Sequence, residues 1–180
     1  ITTDIREAIR ESKTIILAVP SAFLKDSLAG IKSDDFHGRS VFSAIKGIIP
    51  DDLLVVGDFL HKQFDVPIQN IGVITGPCHA EEVAMERLSY LTIASPDTNT
   101  ADSLARQMAC RYIKTTVSDD IYGTEYSAVL KNVFAIAGGI CHGLGYGDNY
   151  LAVLISNAIQ EIKRFVDAVH PIGRDINDSA

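Results

Sequence analysis

Positive charge is in short supply in this 180-residue chain: 16 Lys and Arg stand against 23 Asp and Glu, for a formal net charge of -7. Neutralising a phosphate backbone needs clustered cations, so the composition argues against nucleic-acid binding. Cysteine is scarce as well. Cys78, Cys110 and Cys141 form an odd set without CxxC spacing, which suits neither a disulfide framework nor a zinc site and makes a reducing cytoplasm the simplest setting. No apolar run is long enough to cross a bilayer, and the N-terminus lacks the layout of a signal peptide, so no membrane insertion is expected. The 5 histidines form neither an HExxH pair nor a ligand cluster, and no metal site is expected. There is no GxSxG elbow, and without a secretory signal the sequon Asn177-Asp178-Ser179 reads as chance. The chain opens on Ile1, already entering a helix, and closes on a polar stretch from Asn177 to Ala180. Both ends read as cuts inside a longer protein.

What is present is apolar and strongly patterned. Hydrophobic residues make up 47% of the chain and mean hydropathy is +0.15, enough for one large domain or two small ones with a sizeable core. Residues 4–12 read as a short helix capped by Asp4, with Glu7 three residues on. The run Thr14 to Pro20 fits a strand buried on both faces. A helix closed by Gly30 is expected over 21–31, strands over Val41 to Ile45 and Asn70 to Thr75, and a helix from Asp51 to Phe64 between those strands. Helices follow at His79 to Leu88 and Thr100 to Cys110, with strands at Tyr90 to Ser95 and Tyr112 to Val117. Such alternation implies βαβ units and a mostly parallel sheet. Beyond Ser118 the pattern turns helical, over 120–142 and again from Tyr150 to Val169, where Leu151, Leu154, Ile155, Ala158, Ile162, Phe165 and Val169 share one face. A domain boundary is placed near Ser118.

In an open parallel sheet, ligands bind beyond the carboxyl ends of the strands. Pro20-Ser21, Lys46-Gly47 and Gly76-Pro77-Cys78-His79-Ala80 meet that condition. The third is either an ordinary strand-to-helix turn or a place where backbone N–H groups attract an anion. Lys46 is either a solvated charge ending a strand or an ammonium projecting over the ligand edge. Lys131 is sharper, because its helix, Tyr126 to Gly139, is apolar almost all round and is expected to be buried. Helical spacing puts Thr124, Ala128, Ala135 and Gly138 on its face, leaving space around an amine that, partly desolvated, gives up its proton more readily. The alternative is a lysine that snorkels outward or pairs with Glu125 or Asp148. The run Gly138 to Asn149 follows a helix and fits neither GxGxxG nor a P-loop, so it reads as a turn between helices. Cys78 and His79 stand too close in sequence to act as nucleophile and base.

Three blocks in one order, Ser43-Ala44-Ile45-Lys46-Gly47-Ile48, Gly76 through Ala84, and Leu130-Lys131-Asn132-Val133 through Gly143-Leu144-Gly145-Tyr146-Gly147-Asp148-Asn149, give the chain a family resemblance. It resembles the NAD(P)-dependent sn-glycerol-3-phosphate dehydrogenases over essentially its whole length, bacterial members most closely. The resemblance implies an α/β fold: residues 1–118 as the remainder of a Rossmann-like dinucleotide-binding domain, and 119–180 as the first helices of an all-helical substrate domain. It implies NAD or NADP as cofactor, interconversion of dihydroxyacetone phosphate and sn-glycerol 3-phosphate, supply of phospholipid synthesis, and a cytoplasmic setting. Lys131 matches the family's proton donor and acceptor. Lys46 matches a contact to substrate and cofactor, and Asn132, Gly76 and Cys78 match substrate contacts. Pro20 and Ala80 match cofactor contacts.

Departures from the family pattern set further expectations. Cys78 stands where many members have Ser or Thr, replacing a hydroxyl by a weaker thiol or backbone contact. The family's N-terminal strand with its GxGxxG turn, and its Gly-Asp-Leu and Ser-Arg-Asn segments, are not in this sequence, so the chain by itself is expected to bind cofactor poorly and turn over little. The sheet edge so exposed favours a homodimer. Two rival readings remain open here: another β-hydroxyacid dehydrogenase, of the 6-phosphogluconate or ketopantoate type, and a non-catalytic dehydrogenase-like module.

Overall fold

The computed structural model of the chain describes residues 1–172; the polar stretch and sequon at Asn177 to Ala180 lie outside the described residues. Asp4 opens the first helix, α1 (Ile5–Arg10), its side chain accepting from the N–H groups of Arg6 and Glu7, donors that a helix start leaves free. Strand β1 (Thr14–Leu17) leads through a 3-10 turn (Ser21–Phe23) into a single helical turn, α2 (Leu24–Ser27), and then to β2 (Ser40–Ser43). The helix expected over 21–31 is thus broken. Leu24, Leu28 and Ile31 are all buried, and tertiary packing of those three side chains overrides local propensity.

A second difference lies just beyond. The stretch from Asp51 to Val55 is not helical; β3 (Ile48–Ile49) and β4 (Leu54–Val55) pair as a small antiparallel hairpin, and α3 (Val56–Phe64) starts only after it. Ile49, Val55 and Val56 are fully buried, as β-branched residues favour on a pleated surface. β5 (Ile71–Thr75) follows, then α4 (Ala80–Ala84), β6 (Ser89–Ala94), α5 (Thr98–Met108) and β7 (Ile113–Ser118). The helix expected to reach Leu88 stops early, with Glu86 in the left-handed region at φ 56°.

The main sheet has the order β1-β2-β5-β6-β7. Pairs β1·β2, β2·β5 and β6·β7 are parallel, as the alternation implied, but β5·β6 is antiparallel. The chain turns back at Gly76-Pro77, where the Tyr90 N–H donates to the Pro77 carbonyl at 3.4 Å. That turn seats β6 beside the end of β5 instead of carrying it over the sheet. One face of the sheet packs against Phe59, Leu60 and Ile121; the other carries Phe42, Ile74, Ile93 and Leu104. Each such side chain contributes about 1.5–3 kcal/mol on burial. β1 is not covered on both faces as expected: Leu17 is buried but Ile16 is 45% exposed. As the first strand in the sheet order it has β2 alone as a described neighbour.

Two long helices complete the chain, α6 (Ile121–Gly143) and α7 (Asp148–Val169). Asp120 caps α6 by accepting from the Gly123 N–H at 2.8 Å. Gly145, at φ 82°, lies in the turn that joins α6 to α7; of the run Gly138 to Asn149, residues 144–147 form the connection and the rest belongs to the two helices. The buried residues of α6 are Ile121, Gly123, Thr124, Glu125 and Ala128, all in its first turns. Farther along, Val133, Ile136 and Ile140 are exposed, which corrects the expectation of a helix buried throughout. α6 packs on β5 and, along the pair, on α7, where Tyr126 meets Phe165 edge-on.

Gly76 adopts φ 131°, and a Cβ there would overlap the Tyr90 carbonyl. Gly76→Ala is therefore expected to cost at least about 1–2 kcal/mol, read as a lower urea midpoint; an unchanged midpoint would show that the turn tolerates a side chain.

Candidate active-site cleft

Parallel pairing of β2 with β5 brings their carboxyl ends to the same edge of the sheet. Ile45 is buried while the next residue, Lys46, is exposed, so the chain emerges from the core as the lysine is reached. Its Nζ lies 3.5 Å from the Gly76 carbonyl oxygen, tying the tip of β2 to the turn after β5. Gly47 packs so closely on Ser21 that a Cβ would meet its Oγ at 2.5 Å. That contact brings Pro20-Ser21, after β1, alongside the same edge.

Facing this edge is a cleft of about 560 Å³ between the strand tips and the α6–α7 pair, within the usual range for small-molecule sites. Lys46, Thr75, Gly76 and Pro77 line it from the sheet. From α6 come Thr124, Ala128, Lys131, Ala135 and Gly138, the helical face read from the spacing. Leu151, Leu154, Ile155, Ala158 and Ile162 of α7 form the apolar wall opposite. Among the described residues, Lys46 and Lys131 are the charged ones in the lining, which includes no carboxylate. Such an arrangement fits an anionic small molecule whose remainder is apolar or neutral.

Of the residues singled out from sequence, Lys46, Gly76 and Lys131 therefore converge. Lys131 is exposed instead of sunk among apolar side chains, because α6 loses its cover beyond Ala128. The expected desolvation by the helix itself is absent. Asn132, next along the helix, is exposed and does not line the cleft; Ala80, at the start of α4, is exposed and lies outside it too. Cys78 is half-buried against the Phe42 and Leu91 core, and Pro20 precedes the 3-10 turn after β1.

Sequence reading missed Glu125 as anything but a partner for Lys131. It is 1% exposed and accepts hydrogen bonds from the backbone N–H groups of Val56, at 2.9 Å, and Gly57, at 3.3 Å. Val55, the residue before α3, provides no side-chain cap, so a carboxyl group from α6 closes that helix start. Burial pushes its pKa up to about 8, a shift opposed by the two N–H donors and reinforced by nearby Asp58. Beside it the Tyr122 hydroxyl donates to Asp58 at 2.9 Å. Burial first, then that carboxylate, push the tyrosine up to about 12. The available signal was an acidic residue inside an apolar helix; its partner N–H groups, 69 and 68 residues away, left none.

A parallel carboxyl edge that presents Lys46 to a cleft walled by two long helices, one carrying Lys131, has the architecture of an α/β dehydrogenase joined to a helical segment. Comparison with known proteins makes this specific. Residues 1–101 match the NAD-dependent glycerol-3-phosphate dehydrogenase N-terminus and residues 120–176 the corresponding C-terminus. The chain belongs to the NAD-dependent glycerol-3-phosphate dehydrogenase family. The glycerol-3-phosphate dehydrogenase (NAD(P)+) of Bacillus licheniformis is 34% identical over 166 residues, covering 91% of this chain and 48% of that protein. A relative of the same description from Salinibacter ruber is 34% identical over 170 residues, 94% of this chain and 50% of its own length. The chain thus spans about half the length of the curated relatives it matches. Among solved structures, the glycerol-3-phosphate dehydrogenase of Plasmodium falciparum superposes with a TM-score of 0.87 at 24% identity, covering 97% of this chain and 49% of that one. At that identity the likeness speaks for the fold.

The raised Glu125 pKa has a measurable consequence. The folded chain keeps a proton on Glu125 that the unfolded chain releases, so this group's contribution is complete below about pH 4.5 and is lost as pH rises toward 8. Urea unfolding should show a lower midpoint at pH 8 than at pH 5.5. Glu125→Gln, which keeps a carbonyl acceptor for the Val56 N–H, should flatten that dependence; a slope unchanged in the variant would assign it to other groups.

Proposed function

We propose that this protein interconverts dihydroxyacetone phosphate and sn-glycerol 3-phosphate with NAD(P)H, in the cytoplasm and in supply of glycerophospholipid synthesis. The observation carrying this reading is the meeting of Lys46 and Lys131, far apart in sequence, in one cleft whose lining holds no carboxylate among the described residues. Both ammoniums attract the substrate's phosphate and its reacting oxygen. The family membership of both matched regions supports the same chemistry. Residues 1–118 act as the dinucleotide-binding part and 119–180 as the start of the substrate part.

The cleft fits a nicotinamide in one respect: Ala128, Ala135 and Gly138 present a low apolar wall beside the strand tips, against which a planar ring can lie. Pro20, Lys46 and Ala80 would hold the dinucleotide, which when bound supplies the hydride that reaches C2. Lys131 gives a proton to the C2 oxygen in reduction and takes it back in oxidation. Lys46 stabilises negative charge on that oxygen as it develops, and Asn132 orients the lysine beside it. Gly76 brings backbone close to the substrate, and Cys78 contributes through its backbone or thiol. The uncovered edge of β1 suits pairing of two copies, which sedimentation of the purified chain would detect.

Titration followed by NMR tests the substrate assignment. Dihydroxyacetone phosphate and sn-glycerol 3-phosphate should shift the resonances of Lys46, Gly76 and Lys131, and 6-phosphogluconate and ketopantoate should not. Preference for either of the latter pair would move the assignment to a related hydroxyacid dehydrogenase; no shift with any of them would favour a non-catalytic module. In any catalytically competent form of this polypeptide, Lys131→Ala should lower kcat by roughly 10²–10⁴-fold with NADH affinity little changed. Turnover retained in that variant would remove Lys131 from the proton transfer.

A further inference from the structure

Thr124 is 1% exposed, and its Oγ1 has no hydrogen-bond partner among the described residues. A threonine within a helix ordinarily turns its hydroxyl to the carbonyl four residues back. Here Thr124 gives the Asp120 carbonyl its N–H, at 3.1 Å, while its Oγ1 bonds no described residue. Leaving a buried hydroxyl unpaired is destabilising, and native structures contain few such groups. The residue lines the cleft, on the same helical face as Ala128 and Lys131. Lys131 lies two turns farther along, about 10 Å up the axis at about 1.5 Å per residue. Helical side chains lean toward the N-terminus, so the lysine amine reaches back over Ala128 toward the threonine. A molecule a few atoms long can touch both groups.

We propose that the Thr124 hydroxyl is a ligand-binding group, donating a hydrogen bond to a carbonyl oxygen of the molecule that Lys131 contacts. This rests on the reading of the cleft as a reductase site. Two carbonyl sources share that chemistry there: the ketone-bearing sugar phosphate, and the carboxamide of the nicotinamide. The hydroxyl approaches the carbonyl from the sheet side while the amine approaches the ligand from farther along α6, so the hydroxyl sets orientation and takes no part in proton transfer.

The test compares the wild-type chain with Thr124→Val, which replaces the hydroxyl by a methyl of similar size, and Thr124→Ser, which keeps the hydroxyl. Thermal unfolding without ligand should leave Thr124→Val as stable as wild type or more so, because an unpaired polar group has been removed. Titrated separately by NMR, dihydroxyacetone phosphate or NADH should bind Thr124→Val roughly 3- to 10-fold more weakly, with Thr124→Ser close to wild type. The ligand that weakens identifies the carbonyl. Unchanged binding of both ligands by Thr124→Val overturns the proposal, and so does a weakening that serine does not repair. A lower melting temperature, or failure of the valine variant to fold, overturns it as well, by showing the hydroxyl already bonded within the protein. If wild type binds neither ligand, the functional reading itself fails and this proposal falls with it.

Discussion

The seating of the first two turns of α6 governs the rest of this structure. Glu125 is buried there, and its carboxyl accepts from the Val56 and Gly57 N–H groups at the start of α3. A helix start without its own cap leaves N–H donors that must find a partner, and α3 finds them on α6. Satisfying those donors presses α6 against β5 and fixes its rotation about its own axis. Once Glu125 faces α3, helical geometry turns Thr124, Ala128 and Lys131 toward the strand tips. Tyr122, one turn earlier, bonds Asp58 in the first turn of α3 and so holds the same docking from a second point.

The electrostatics of the cleft follow from that seating. Burial raises Glu125 to about 8, so near neutrality it is mostly uncharged and adds little negative field beneath the lysines. Lys46 and Lys131 then act on the cleft without an acidic residue among its described lining residues to offset them. The wall supplied by α7 is apolar, which lowers the local dielectric and strengthens the pull of each ammonium on an anion. A small phosphate ester with a short carbon chain matches this division between a cationic end and an apolar flank.

Much of this was legible in the sequence where the information is local. Hydrophobic period gave α1, α5, α6 and α7 close to their observed bounds, helped at α1 by Asp4, which signals its own helix start. The face shared by Thr124, Ala128, Lys131, Ala135 and Gly138 followed from helical spacing, and it is the face that lines the cleft. What escaped depends on distant partners. The β3–β4 hairpin took Leu54 and Val55, expected to be helical, into a pairing with Ile48 and Ile49 in which Ile49 and Val55 are fully buried. The reversal of β6 arises at Gly76-Pro77 through a contact with Tyr90. The helix that carries Lys131 reads as buried because its residues are apolar, but burial depends on what packs over a helix, and beyond Ala128 much of α6 is exposed. Lys46, equally ambiguous as a residue, gained meaning only when parallel pairing set it beside Gly76.

The central claim is that Lys46 and Lys131 act together on one anionic substrate. Its most direct measurement is a crystal structure of the chain grown with sn-glycerol 3-phosphate. The account predicts the ligand in the cleft between the strand tips and α6, with both ammonium groups within about 4 Å of its oxygens. A ligand held elsewhere on the chain, or held in the cleft with Lys131 turned away from it, would contradict the account.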